Sequence, residues 1–115
     1  MKLYEVDPPV AVEEMIVHVT PGMEDFWVKK DTEIWSAALE TCPGFLGKEI
    51  WLNRDVPGQI VVIIYWQSYD AWQSLDRQWV MDVEERMTRA VGQEHIKSIS
   101  FAHRGSQKFK AYEYR

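Results

Sequence analysis

The sequence lacks the features that mark several large classes of protein. Its 115 residues include one cysteine, Cys42, so no disulfide can form within a chain. The longest apolar run, residues 60–66, is far shorter than the roughly 20 residues that span a bilayer. Lys and Arg form no cluster, and the formal net charge is −5. We therefore expect neither a nucleic acid nor a membrane to be a partner.

The first residues also lack the core of a secretory signal peptide, which needs about 7 to 15 apolar residues. Together with the single cysteine, this absence predicts a reducing, cytoplasmic location. A chain of 115 residues is long enough to bury one core and too short for two independent domains. We therefore interpret every feature below as part of one fold.

Aromatic residues, in contrast, are abundant: they make up 13 % of the chain and include six tryptophans. Such residues lie in cores, pockets and interfaces. Taken singly, each tryptophan is best interpreted as core. Taken together, they offer flat walls and indole N–H groups that could enclose and orient a small aromatic ligand. The tryptophans predicted to bind this ligand are Trp27, Trp35, Trp66, Trp72 and Trp79.

Turn signals divide the chain into strands and helices. Pro43-Gly44 ends a helical pattern, and Pro57-Gly58 fits the central positions of a type II turn between two apolar segments. Ser68 can cap a second helix, and Gly92 can end it. The predicted elements are a strand over 12–19, a helix over 22–41, a hairpin of 45–54 and 59–66, a helix over 68–91 and a strand over 95–103.

This order, β-α-β-β-α-β, is that of the ferredoxin-like α+β fold, in which both helices cover one face of a four-stranded antiparallel sheet. The strand at 59–66 is apolar on both faces, so the second face also needs a cover. A second copy of the sheet is the simplest one, which predicts a homodimer. We expect one domain over residues 12–104, a lead-in over 1–11, and an edge strand or an arm toward a partner over 105–115.

Two aspartates fall on the apolar faces of the predicted helices. At roughly 100° per residue, Asp31 lies within the stripe that contains Trp27 and Trp35, and Asp76 lies within that of the second helix. A carboxylate buried without a partner is costly, so each must be paired, neutral or beside a wet cavity. One interpretation places both at the edge of the stripe or in hydrogen bonds. The other makes Asp31 a proton acceptor or ligand anchor, with Asp76 as a further ligand-binding residue.

If Asp31 has a structural role alone, Asp31→Leu should stabilise the fold, because a buried acid often costs more than an apolar side chain of similar size.

The histidines, His18, His95 and His103, lie on predicted strands. No two of them have the i, i+4 spacing of a helical zinc site, and one cysteine cannot form a thiolate cluster, so no metal is expected. His18 is the histidine best suited to an acid–base role, because imidazole titrates near neutrality. Asp31 and His18 are therefore the predicted catalytic residues.

Charged residues of the hairpin, Lys48, Glu49 and Arg54, are expected to form ion pairs across strands or between subunits. The chain contains no glycine-rich phosphate loop and no serine-hydrolase motif, so nothing indicates nucleotide or serine-hydrolase chemistry.

Three short motifs surround the predicted hairpin: Cys42-Pro43-Gly44-Phe45, Tyr65-Trp66-Gln67-Ser68 and Ala71-Trp72. Together they resemble the antibiotic-biosynthesis-monooxygenase superfamily over residues 12–103. The resemblance implies a dimeric α+β barrel, in which two ferredoxin-like protomers pack sheet to sheet and a cavity lies between each sheet and its own helices. The residues that resemble a cyanobacterial branch more narrowly are Asp31, Ile34-Trp35, Pro43-Gly44-Phe45, Lys48-Glu49 and Trp51.

That superfamily includes quinone-forming oxygenases that need no cofactor, haem-degrading enzymes and binding proteins. The haem degraders carry an Asn, a Trp and a His at positions that hold Met15, Leu75 and Glu85 here, so the resemblance does not extend to haem cleavage. It implies a monooxygenase-like protein that acts without a cofactor on a small aromatic or polycyclic substrate in the cavity. The alternatives are a non-catalytic dimer that binds a small apolar ligand and a structural dimer with a filled core.

Overall fold

The computed structural model describes residues 2–101 and 105–113. Its strands form one antiparallel sheet in the order β2-β3-β1-β4, with β5 also paired to β1. The strands are β1 (Lys2–Val19), β2 (Phe45–Leu52), β3 (Gln59–Trp66), β4 (Ile96–Phe101) and β5 (Gln107–Glu113). The helices are α1 (Glu24–Asp31), α2 (Ala37–Leu39), α3 (Tyr69–Gln73) and α4 (Arg77–Val91), with a π-helical turn at Thr32–Ser36 and a 3-10 turn at Gln93–His95.

The order of elements and the strand order confirm the predicted ferredoxin-like α+β fold. The sheet extends beyond the four predicted strands at both ends of the chain. Residues 2–11, predicted as a lead-in, form the first half of β1. Ala11 pairs with Trp66 on one side and with Gln107 on the other, so β5 follows β4 along the same edge of β1. Residues 102–104, which include His103 and the end of the predicted fourth strand, lie outside the described residues.

The β2–β3 hairpin closes through the predicted turn. The Gln59 N–H donates to the Val56 carbonyl at 3.1 Å, which places Pro57 and Gly58 at the two central positions. Gly58 has φ +85°, and a Cβ there would lie 2.3 Å from the Val19 carbonyl oxygen. Glycine is therefore required at this position both by the backbone conformation and by the close approach of β1.

The two predicted helices are less regular than their apolar periodicity indicates. In the first, the π turn at Thr32–Ser36 separates α1 from α2. The prediction of one continuous second helix is wrong, because the chain leaves the helical conformation between α3 and α4. Ser68 caps α3 by accepting from the Ala71 N–H at 3.0 Å, and Asp76 caps α4 by accepting from the Trp79 N–H at 2.9 Å. Each short segment thus has its own start signal.

Cross-strand pairing sorts the side chains of the sheet onto two faces. Lys48, Ile64 and Glu13 form one row that faces the helices. The core between this face and the helices contains side chains with at most 1 % of their surface exposed: Val17, Ile60, Val62, Trp66 and Met87. Within the described residues, no helix is long and apolar enough to cross a membrane.

Candidate functional site

A cavity of about 430 Å³ lies between the sheet and the helices, within the usual size range of small-molecule pockets. Most of its lining is apolar: Met15, Val17, Trp27, Trp35, Leu39, Ile64, Trp66, Trp72, Leu75, Val80, Met87, Ile99 and Phe101. Its polar lining consists of Glu13, Asp31, Lys48, Gln73, Arg77 and Glu84. An apolar wall with a few convergent polar groups is the usual composition of a ligand pocket.

Asp31 forms a buried ion pair on one wall of this cavity. Its carboxylate Oδ2 accepts from the Lys48 Nζ at 2.5 Å, and only 2 % of the residue is exposed. The same ammonium donates to the Ser36 Oγ at 3.1 Å. Burial raises the pKa of Asp31 above its ordinary value, and the charge of Lys48 and the hydrogen bonds from Lys48 and Ser36 oppose that rise. The group is therefore a stronger proton acceptor than an exposed aspartate.

The π turn explains why Asp31 and Ser36 act together. In a π turn each backbone N–H bonds to the carbonyl five residues earlier, so residues five apart lie above one another. Asp31 immediately precedes the turn, and Ser36 ends it. Both side chains consequently reach the same ammonium of Lys48, which β2 presents from the facing sheet.

Two further carboxylates are each held by an indole N–H. The Trp66 Nε1 donates to Glu13 at 3.0 Å, and the Trp35 Nε1 donates to Glu84 at 3.0 Å. Burial raises the pKa of both glutamates, and each indole hydrogen bond opposes this rise. The negative charge of Asp31 raises the pKa of Glu84 further, whereas Lys48 opposes the rise at Glu13. The four charged groups thus form one electrostatically linked set along the cavity.

Of the predicted ligand-binding tryptophans, Trp27, Trp35, Trp66 and Trp72 line the cavity. Trp79 does not: it packs edge-to-face on Trp35, with 6.2 Å between ring centroids, and supports the wall from behind. The indole N–H groups of Trp35 and Trp66 are already engaged by carboxylates. These two tryptophans therefore shape the cavity instead of orienting a ligand through their N–H groups.

Two other predicted site residues lie outside the cavity. Asp76 is exposed and caps α4, so its predicted position on an apolar stripe is wrong, because that stripe assumed one continuous helix. His18 lies on the sheet face opposite the helices, since Val17 and Val19 beside it point inward, and its Nδ1 is 3.2 Å from the Ser98 Oγ. Asp31 is accordingly the member of the predicted catalytic pair that reaches the cavity.

Glu13, Lys48 and Glu84 were not predicted as site residues. The expectation that Lys48 forms a cross-strand or intersubunit ion pair is wrong, since it pairs with a helical aspartate. Sequence signals for all three exist. Glu13 lies two and four residues before Met15 and Val17, so the three share one face of a strand, and Lys48 is related to Ile50 and Leu52 in the same way. Glu84 has the helical spacing that places it on one face with Val80, Met87 and Val91.

Residues 2–101 and 105–113 hold no group of three or more His, Cys, Asp or Glu side chains arranged to bind a metal ion. The carboxylates of the cavity can exchange protons, and its polar groups can donate and accept hydrogen bonds.

The sequence profile of the antibiotic biosynthesis monooxygenase family matches residues 11–76, more than half of the chain. The protein belongs to this family. No match is found among curated proteins.

Several solved structures share the fold. One is a monooxygenase from the ActVA-Orf6 gene of Streptomyces coelicolor in complex with nanaomycin D, with 18 % identity, coverage of 84 % of this chain and 90 % of that one, and a TM-score of 0.61. SnoaB, a cofactor-independent oxygenase from Streptomyces nogalater, has 16 % identity, coverage of 80 % and 90 %, and a TM-score of 0.57. A dimeric ferredoxin-like protein from an uncultured marine organism has 13 % identity, coverage of 95 % and 94 %, and a TM-score of 0.60.

Proposed function

We propose that this protein is a monooxygenase that needs no cofactor and oxidises a small aromatic or polycyclic phenol in the cavity between its sheet and helices. The observation that carries the proposal is the buried Asp31 carboxylate on the wall of a cavity of about 430 Å³ lined by four tryptophans. Family membership and the cofactor-independent oxygenase from Streptomyces nogalater, which shares the fold, support the reaction class.

In this proposal Asp31 takes the proton from a hydroxyl group of the bound substrate. Burial raises the pKa of Asp31, which brings its proton affinity closer to that of a phenol and favours the transfer. The ionised ring is then electron-rich enough to react with dioxygen, the second substrate. One oxygen atom enters the organic product, the other leaves as water, and the substrate itself supplies the electrons.

The test is dioxygen uptake with a hydroxylated anthrone, whose methylene carbon becomes a quinone carbonyl. Asp31→Asn should abolish protein-dependent uptake and retain binding of the quinone product, measured by quenching of tryptophan fluorescence. Asp82→Asn is the matched control, because Asp82 is exposed on α4 and pairs with Gln78 at 2.9 Å. Uptake that is unchanged in Asp31→Asn would remove Asp31 from the mechanism.

A non-catalytic binding dimer is the second candidate, and one observation favours it. Each of the three cavity carboxylates already accepts a hydrogen bond from a donor among the described residues. Carboxylates with satisfied hydrogen bonds are expected of a cavity that holds a ligand without reacting with it. In that case native mass spectrometry would show a retained small molecule that is lost on denaturation, and the wild-type protein would consume no dioxygen.

The homodimer is also part of the proposal. The sheet face opposite the helices carries apolar side chains of three neighbouring strands, with Trp51, Val61 and Ile16 in one row. A second copy of the same face would cover them. The dimeric ferredoxin-like protein from the marine organism, which shares the fold, supports this arrangement.

A further inference from the structure

One N–H of the Lys48 ammonium is not used by its contacts with Asp31 and Ser36. A lysine ammonium carries three N–H donors. The described residues engage two of them, through Asp31 Oδ2 at 2.5 Å and Ser36 Oγ at 3.1 Å. Lys48 itself lines the cavity, so the third N–H is available to an acceptor atom of a bound molecule.

The neighbours of Lys48 make its charge decisive for any ligand. Glu13 lies in the same cross-strand row, with Ile64 between the two residues, and Glu84 is electrostatically coupled to Asp31. Of the two cationic side chains in the described lining, Arg77 is exposed and Lys48 is almost fully buried. A new negative charge in this mainly apolar space is therefore repelled by the carboxylates unless it lies beside Lys48.

We propose that Lys48 is a catalytic residue: its ammonium is the counter-ion of the phenolate that forms when Asp31 takes the substrate proton. This inference rests on the proposed function. The substrate O–H bond breaks, an O–H bond forms on the Asp31 carboxyl, and the negative charge passes to the phenolate oxygen. Lys48 pairs with Asp31 before the transfer and with the phenolate after it, so the net charge of the cavity does not change.

A phenol that changes colour on ionisation reports this directly. The probe is 2,6-dihydroxyanthraquinone, a flat three-ring phenol that already carries its quinone carbonyls and is not oxidised further by the proposed reaction. Bound to the wild-type protein, it should show the phenolate spectrum at a pH about one unit or more below that needed in free solution, because an opposite charge within about 4–6 Å favours the ionised form.

Four variants isolate the charge of Lys48. Lys48→Met should remove the spectral change at that pH, and Lys48→Arg, which keeps the charge, should restore most of it. Lys97→Met is the matched control, since Lys97 is exposed and donates to the Glu94 carbonyl at 2.9 Å. If Lys48→Met does not fold because Asp31 loses its partner, the double variant Asp31→Asn, Lys48→Met avoids the unpaired charge. It should bind the probe in its neutral form.

Three outcomes overturn the inference. The inference is wrong if the wild-type protein binds the probe in its neutral form at every pH tested. It is also wrong if the phenolate spectrum persists in Lys48→Met or in the double variant. Both results leave the proposed function intact. A wild-type protein that does not bind the probe at all would contradict the inference. Dioxygen uptake with the hydroxylated anthrone, measured separately, then decides whether the proposed function stands.

Discussion

At the scale of single residues, the buried pair of Asp31 and Lys48 determines how the cavity responds to substitution. Asp31→Leu leaves the nearly buried Lys48 ammonium without its partner. We expect this variant to lose about 3–5 kcal/mol of stability, the usual loss when one member of a buried ion pair is removed. The measurement is the free energy of unfolding in urea.

The double variant Asp31→Leu, Lys48→Met is the control for that loss. Replacing both members by apolar side chains is often neutral or stabilising, so most of the stability should return. A double variant as unstable as Asp31→Leu would mean that the ion pair is not the reason for the loss. The sequence alone predicts that Asp31→Leu stabilises the fold if Asp31 has only a structural role. The structure predicts the opposite, because Asp31 has a buried partner in Lys48.

Glu13 gives the fold a pH dependence of definite sign. Burial raises its pKa above the ordinary value of 4.5, so between that value and the raised pKa the folded state holds a proton that the unfolded state has lost. Stability from this group is fully present below pH 4.5 and declines as the pH rises through the raised pKa, by up to about 1.4 kcal/mol per pH unit.

Glu13→Gln tests this dependence, because the amide oxygen can still accept from the Trp66 N–H and carries no charge. The stability of the variant relative to wild type should increase between pH 4.5 and pH 7 in urea unfolding experiments. Glu24→Gln is a control for a different pH range: hydrogen bonds, first of all from the Gly58 N–H, lower the pKa of Glu24, so the stability of this variant relative to wild type should change below pH 4.5, with the opposite sign, and stay nearly constant above it. A constant difference between wild type and Glu13→Gln would contradict the prediction.

Residue by residue, the sequence predicted Asp31 and most of the tryptophans that line the cavity, but not the charged residues around Asp31. Asp31 was detectable because a charge within an apolar helical stripe conflicts with its neighbours. Lys48 follows Asp31 by 17 residues and lies on another element; its two-residue spacing from Ile50 and Leu52 indicates an inward position, but nothing local identifies Asp31 as its partner. Which face His18 occupies could not be predicted, because a register shift of one residue exchanges the two faces of a strand.

At the scale of elements, the break between α3 and α4 depends on a cap. Asp76→Ala removes the acceptor of the Trp79 N–H and should lower stability by about 1 kcal/mol. Dioxygen uptake should not change, because Asp76 lies outside the cavity lining. Asp76→Asn, which keeps a capping oxygen, should be nearly as stable as wild type. A loss of uptake in a folded Asp76→Ala protein would return Asp76 to the site.

The elements that the sequence predicted well are those with local signals. The β2–β3 turn needs only Pro57-Gly58, and the structure has its hydrogen bond there. The helical irregularities were missed because periodicity assumes a constant 3.6 residues per turn. The π turn at Thr32–Ser36 changes that spacing, and a second capping residue, Asp76, interrupts the helix that Ser68 begins. These deviations position Asp31, Ser36 and the residues of the α3–α4 connection around the cavity.

At the scale of the whole molecule, the two faces of one sheet have different tasks. The face toward the helices carries the charged row of Lys48 and Glu13, enclosed by apolar side chains. The opposite face pairs its own polar groups, as the Tyr65 hydroxyl donates to Glu49. Burial and the neighbouring carboxylate raise the pKa of Tyr65 to about 12, so this phenol stays neutral near pH 7. A neutral, internally paired tyrosine is suited to a face that packs against a second copy.

The proposed dimer makes a prediction about Trp51, which is 53 % exposed on that face. Trp51→Glu places a charge in each copy on the face proposed to form the interface, where burial without a partner is costly, and should convert the dimer to a monomer in analytical ultracentrifugation. Met81→Glu is the matched control: Met81 is 54 % exposed on α4, on the helical side, so the dimer should persist. If both variants sediment as the wild type does, Trp51 is not in the interface, and a monomeric wild type would contradict the dimer itself. Because the cavity lies between each sheet and its own helices, a monomeric Trp51→Glu protein should still bind the anthraquinone probe.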